Sequence, residues 1–159
     1  MEDDLLLSAL HYVATEGLAN VMDISEVQLT EAKNACPAAH KLSAHLLSTL
    51  SGRLLLPVTV LTERSWHVEK NLGAKSEAAF LASVARGELE LVDLMAEDVG
   101  RTARLVEIYD DLRLGLVDAS VIALAERLEI SKVATIDCRH FTAVRPRHVM
   151  ALTLLPETL

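Results

Sequence analysis

Apolar residues along this chain follow two patterns: short unbroken runs, and longer stretches where they recur every three or four positions. Unbroken runs suit strands covered on both faces, and the recurring pattern suits helices with one buried side. Leu6, Leu10, Val13 and Leu18 have roughly helical spacing, so residues 1–19 read as a helix, stopped near Gly17. A short apolar piece at 20–24 reads as the first strand, with Asp23 near its end. Ser25 is placed to cap a helix reaching residue 34, and Pro37 opens another that Ser51 and Gly52 end.

Further along, Leu54, Leu55 and Leu56 make a strand, and Pro57 stands where the first turn of a helix begins. Val58, Leu61, Val68 and Leu72 then line one helical side up to Gly73. A helix is expected over 74–86, a strand over 89–92 and a helix over 97–109. Residues 116–128 form a strongly apolar helix, 132–136 a β-branched strand running into Asp137, and 152–155 a last strand before Pro156. Strands alternating with helices predict an α/β fold, a three-layer sandwich around a largely parallel sheet, with an extra N-terminal helix. On this reading residues 1–19 are a helical extension and 20–159 the main domain.

Composition narrows the class. The 159 residues suit one domain, and 51% hydrophobic with 24% charged residues is a globular balance. Aromatics are only 3%, so the core must be aliphatic. No apolar run approaches the ~20 residues of a membrane span, and Leu5-Leu6-Leu7 follows acids instead of a basic leader. A cytoplasmic location is the expectation. Cys36 and Cys138 form neither a CxxC motif nor a disulfide framework, and no histidine spacing suggests zinc. The net charge of −8 argues against broad attraction to nucleic acid. It leaves room for a nuclease, because carboxylates that hold cations make a protein acidic. A local basic cluster, Arg139, His140, Arg145, Arg147 and His148, offers contacts for phosphate.

Four acids stand out by position. Asp23 and Asp137 follow expected strands, and open parallel sheets bind ligands beyond the carboxyl ends of their strands. Asp118 begins the apolar helix, where the helix dipole favours a carboxylate. Glu63 lies in the helix that follows Pro57, beside its buried stripe. If these acids converge, their mutual repulsion calls for a hard divalent cation with oxygen ligands. The plainer alternatives are a helix cap for Asp118, turn acids for Asp23 and Asp137, and a solvated Glu63 paired with His67. Asp110 and Asp111 read as a solvated pair, and Cys138 as structural.

The segment Gly-Leu-Val-Asp-Ala-Ser-Val-Ile-Ala-Leu-Ala-Glu-Arg-Leu at 115–128, with Val-Ala-Thr-Ile-Asp-Cys-Arg-His-Phe at 133–141, resembles PIN-domain toxin ribonucleases of the VapC type. Leu-Leu-Leu-Pro-Val-Thr-Val-Leu-Thr-Glu at 54–63 resembles that family's second acidic motif, and Asp23-Ile24-Ser25 its first. The resemblance covers about residues 20–156. It implies that Asp23, Glu63, Asp118 and Asp137 surround one Mg²⁺ or Mn²⁺ site, with Ser25 in support. It also implies an RNA substrate, a cognate antitoxin that blocks the site, and a homodimer. Arg139 and Arg145 are the candidates to touch RNA phosphate. The sequence departs from the family's pattern ahead of Asp23, where some twenty residues precede the expected first strand, and at Ile24, where Thr is usual. Asp4, before Leu5-Leu6-Leu7, is an alternative first acid.

Three function classes follow. The first is a metal-dependent endoribonuclease. The second is a catalytically weak or inactive PIN module that binds RNA or a protein, suggested by the altered first motif. The third, a phospho-acceptor domain, wants a Lys at the end of a late strand, where this chain has Asp137.

Overall fold

The structure, a computed structural model, describes residues 5–7, 53–135 and 138–155. Its strands are β1 (Leu5–Leu7), β2 (Leu54–Pro57), β3 (Glu90–Val92), β4 (Lys132–Ala134) and β5 (Thr153–Leu155). Its helices are α1 (Val58–Leu72), α2 (Ala74–Ala85), α3 (Ala96–Ile108), α4 (Leu116–Leu128) and α5 (Cys138–Ala143). A 3-10 turn, Asp110–Leu112, lies between α3 and α4.

The strands form one sheet in the order β3-β2-β1-β4-β5, and every neighbouring pair is parallel. Adjacent residues on a strand point to opposite faces. Leu55 and Leu56 on β2 are both buried, as are Val133 and Ala134 on β4. Both faces of the sheet are therefore covered, which is the α/β layering that the unbroken apolar runs predict.

One expectation is corrected here. Leu5–Leu7, read as part of a helix over residues 1–19, is the central strand. Leu6 lies across from Leu55 on one side and Val133 on the other. The physical reason is in the pattern: three consecutive leucines leave no polar positions between them, which suits a doubly covered strand better than a helical stripe. These three residues belong to the same sheet as β2 to β5. The strand expected at 20–24 and the helices expected up to residue 50 lie outside the described residues.

The rest follows the sequence closely. Pro57 has φ −59° and immediately precedes α1, and Gly73, at φ +81°, separates α1 from α2 in a conformation that L residues rarely adopt. Helix α4 is apolar almost all round, and Ala119 to Ala125 are all buried. It packs on α3 and α1 and reaches the sheet at β1 and β2. Phe80 and Phe141 are the largest side chains fully enclosed, and the surrounding core is aliphatic. Helix α5 carries Arg139 and His140 of the basic cluster.

Candidate active site

The sheet order reverses at β1. The chain runs outward through β2 and β3 on one side, then through β4 and β5 on the other. In open parallel sheets, the crevice beyond the carboxyl ends of the strands at such a reversal is where ligands bind. Helix α1 starts directly after β2, and α5 starts four residues after β4.

Asp118 lies in the first turn of α4, whose cap position is Gly115. Its Oδ2 accepts a hydrogen bond from His140 Nδ1 on α5 at 2.6 Å. A quarter of the Asp118 side chain is exposed, against 14% of His140. The Leu112 carbonyl, in the 3-10 turn, faces His140 Nε2 at 3.2 Å. An acid serving only as a helix cap would spend itself on its own helix. Asp118 instead reaches a ring supplied by another element.

Two positions on, the buried Ser120 hydroxyl donates to the Val117 carbonyl at 2.7 Å. Having spent its one proton, its oxygen accepts from Thr59 of α1 at 2.6 Å. This bond fastens the start of α1 to the start of α4. Glu63 lies one turn beyond Thr59 on α1, with Oε2 3.1 Å from Arg64 Nη2 and 37% of its side chain exposed. The alternative pairing of Glu63 with His67 gives way to the Arg64 contact, and the His67 ring meets Trp66 edge-on at 4.9 Å.

The basic cluster divides. His140 turns to Asp118, His148 Nε2 to the Ile130 carbonyl at 2.9 Å, and Arg145 Nη1 to the Met150 carbonyl at 3.4 Å. Arg139 and Arg145 are exposed. Asp110 and Asp111 are exposed on the 3-10 turn, as a solvated pair should be. Asp23, Ser25 and Asp137 lie outside the described residues. Among the described residues, no group of three or more His, Cys, Asp or Glu side chains is placed to hold a metal.

The far end of α4 is built differently. Arg101 of α3 grips Glu126 with two bonds of 2.7 and 2.8 Å. Arg127 meets Asp98 at 2.9 and 3.0 Å, and Asp98 also accepts the Met95 N–H at 2.8 Å. Burial alone would push the Glu126 carboxyl up. The Arg101 bonds and charge, with the Arg147 N–H, outweigh it and hold the group below its ordinary value. The same hydrogen bond raises the Arg101 guanidinium.

Sequence reasoning missed His140 as the partner of Asp118, and the Thr59–Ser120 bond. One signal was available for the first: His140 stands three positions after Asp137, an acid that the sequence already singles out. Nothing in the sequence paired Thr59 with Ser120.

Comparison with known proteins identifies the family. The family model of the PIN domain matches residues 27–145, a span that includes Glu63, Asp118 and Asp137 and begins after Asp23. Ribonuclease VapC26 of Mycobacterium tuberculosis (strain ATCC 25618 / H37Rv) is 30% identical over 123 residues, covering 77% of this chain and 91% of that protein. The crystal structure of Mycobacterium tuberculosis VapC20, a sarcin-ricin loop cleaving toxin, superposes with a TM-score of 0.64 at 15% identity. That match covers 86% of this chain and 92% of the other, and it supports the fold. The matched span and the 30% identity, on a parallel α/β sheet, make this chain a member of the PIN-domain family, of the VapC type.

Proposed function

We propose that this protein is an endoribonuclease, the toxin of a toxin–antitoxin pair, whose carboxylates Asp23, Glu63, Asp118 and Asp137 hold Mg²⁺ or Mn²⁺. The observation that carries this reading is Asp118, set in the first turn of α4 and bonded to a histidine of the helix that follows β4. The similarity to VapC26, which is a ribonuclease, supports RNA as the substrate.

The described donors fit a hard cation. Glu63 and Asp118 offer only oxygen, and both are partly open to solvent. Asp23 and Asp137 would complete the set, with the Ser25 hydroxyl in support. When bound, the ion supplies Lewis-acid stabilisation of charge building on the scissile phosphate. The chain's own residues supply the rest. Asp118 is fixed by His140, and the Thr59–Ser120 bond fixes the helix carrying Glu63 against the helix carrying Asp118. Arg139 and Arg145, both exposed, suit the two-bond recognition of phosphate by guanidinium. The cognate antitoxin would act by covering this site, in a cytoplasmic homodimer. Among the described residues, no helix is long and apolar enough to cross a membrane.

A second reading has its own observation. Strand β1 ends at Leu7, and the next residue is Ser8, not an acid, while the family match begins after Asp23. A site lacking its first carboxylate would make a weak enzyme or a binding module. The two readings separate on metal removal and return. Antitoxin-free protein is stripped with EDTA, incubated with a mixed RNA pool, and then given back Mn²⁺. Cleavage that stops and returns supports the enzyme. No cleavage in folded, metal-loaded protein favours the module.

A further inference from the structure

His140 connects three separate elements. Its ring sits on α5, its Nδ1–H is spent on Asp118 of α4, and its Nε2 faces the Leu112 carbonyl of the 3-10 turn. Resting on the metal-site reading above, we propose that His140 is a positioning residue: it locks the Asp118 carboxylate in the orientation that receives the divalent cation.

The backbone beneath Asp118 is already fixed. The seven residues that follow it in α4 are buried, and Ser120 is bonded to Thr59. What freedom remains at Asp118 lies in its side-chain torsions. A carboxylate accepting an N–H at 2.6 Å from a ring that is 14% exposed loses most of that freedom before any cation arrives. A ligand fixed in advance gives up less entropy on binding. A carboxylate also has lone pairs enough to accept from His140 and still coordinate.

The turn is held as well. Arg113, directly after Leu112, has φ +53° and lies in the left-handed region. That conformation costs a residue with a Cβ roughly 1–2 kcal/mol, so contacts must hold the segment in place. One is visible: the Arg113 N–H donates to the Asp110 carbonyl at 2.8 Å. The ring thus stands between a constrained turn and the acid.

The test is Mn²⁺ titration by calorimetry into the metal-free, full-length protein, with thermal unfolding measured alongside. The variants are His140→Ala, His140→Asn, His140→Gln and Asp118→Asn. An Asn amide nitrogen falls near the place of Nδ1, whereas Gln reaches towards that of Nε2. We expect His140→Ala and His140→Gln to weaken Mn²⁺ binding by about 10-fold or more, the usual effect of losing a partner that orients a ligand. His140→Asn should stay within about threefold of wild type, because it keeps the donor to Asp118. Should His140→Ala be unstable, the Asn–Gln contrast carries the test alone. Unchanged affinity in His140→Ala, with affinity lost in Asp118→Asn, would overturn the role of His140 and leave the metal site standing. Equal loss in the Asn and Gln variants would overturn it too, assigning His140 to packing. Wild type that binds no Mn²⁺, or Asp118→Asn that binds it as well as wild type, would overturn both this proposal and the metal-site reading.

Discussion

The two ends of helix α4 handle carboxylates in opposite ways. At the C-terminal end, Glu126 and Asp98 are 9% and 3% exposed; two Arg101 N–H groups hold Glu126, and the Arg127 Nε–H is shared between both oxygens of Asp98. At the N-terminal end, Asp118 is 25% exposed and faces an imidazole, while Glu63, on the helix packed beside it, is 37% exposed. Buried acids that are fully matched by arginine hold α3 to α4 and have little capacity left for a ligand. Asp118, beside a ring, and Glu63 are left partly open, with oxygens that solvent can reach. One helix therefore carries a structural clasp and a candidate reactive edge, separated by a fully buried middle.

The sharpest way to break that contrast is at the clasp. Asp98→Ala leaves Arg127 without its carboxylate and the Met95 N–H without its acceptor. We expect a loss of about 3 kcal/mol in urea unfolding, the usual cost of breaking a buried pair from one side. Mn²⁺ affinity should not move. A large loss of metal binding in folded Asp98→Ala would show that the two ends are coupled.

Glu126→Gln should cost less, about 1–2 kcal/mol at neutral pH, since the amide oxygen still accepts at one position while the charge and the second acceptor are lost. The effect depends on pH in a definite direction. The Glu126 carboxyl lies lower in the fold than its ordinary 4.5. Its contribution is therefore complete above that value and is lost as pH falls through the lowered one. Wild type and Glu126→Gln should converge in stability as the solution is acidified, which a pH series of thermal melts would show. Curves that stay parallel down to the acid limit would contradict the assignment.

Thr59→Val removes the bond to Ser120 while keeping the shape, and should cost about 1 kcal/mol. Its use is to sharpen the comparison, because the loss should come with a small fall in Mn²⁺ affinity as α1 and α4 loosen at their starts. The smallest expected effect on stability is that of Asp118→Asn, within about 0.5 kcal/mol, as suits a partly exposed acid that the fold does not rely on. A melting temperature that falls as far as that of Asp98→Ala would make Asp118 structural after all.

Much of this was legible in the sequence where local pattern and tertiary role agree. The apolar helix at Leu116–Leu128, Pro57 before α1 and Gly73 after it each carry their own physical signature. Asp118 and Glu63 stood out because of the elements they start or follow. The central strand was misread because Leu6 and Leu10 are also four apart, so that three leucines look helical until partners pair on both sides. Asp23 had been chosen for following the first strand. With that strand at Leu5–Leu7, its place in the site is a proposal resting on the family motif alone. The His140–Asp118 and Thr59–Ser120 bonds join residues 22 and 61 positions apart, and no local periodicity reports such a pairing.

The most direct test of the account compares wild type and Asp118→Asn on one labelled RNA pool in Mn²⁺, both purified free of any partner. Asn keeps the shape of the side chain and removes the charge that would hold the ion. The account predicts cleavage by wild type, and a fall on the order of 100-fold or more in the variant with its melting temperature preserved. Equal cleavage by the two proteins would contradict it, and would move the chemistry of this fold away from the start of α4.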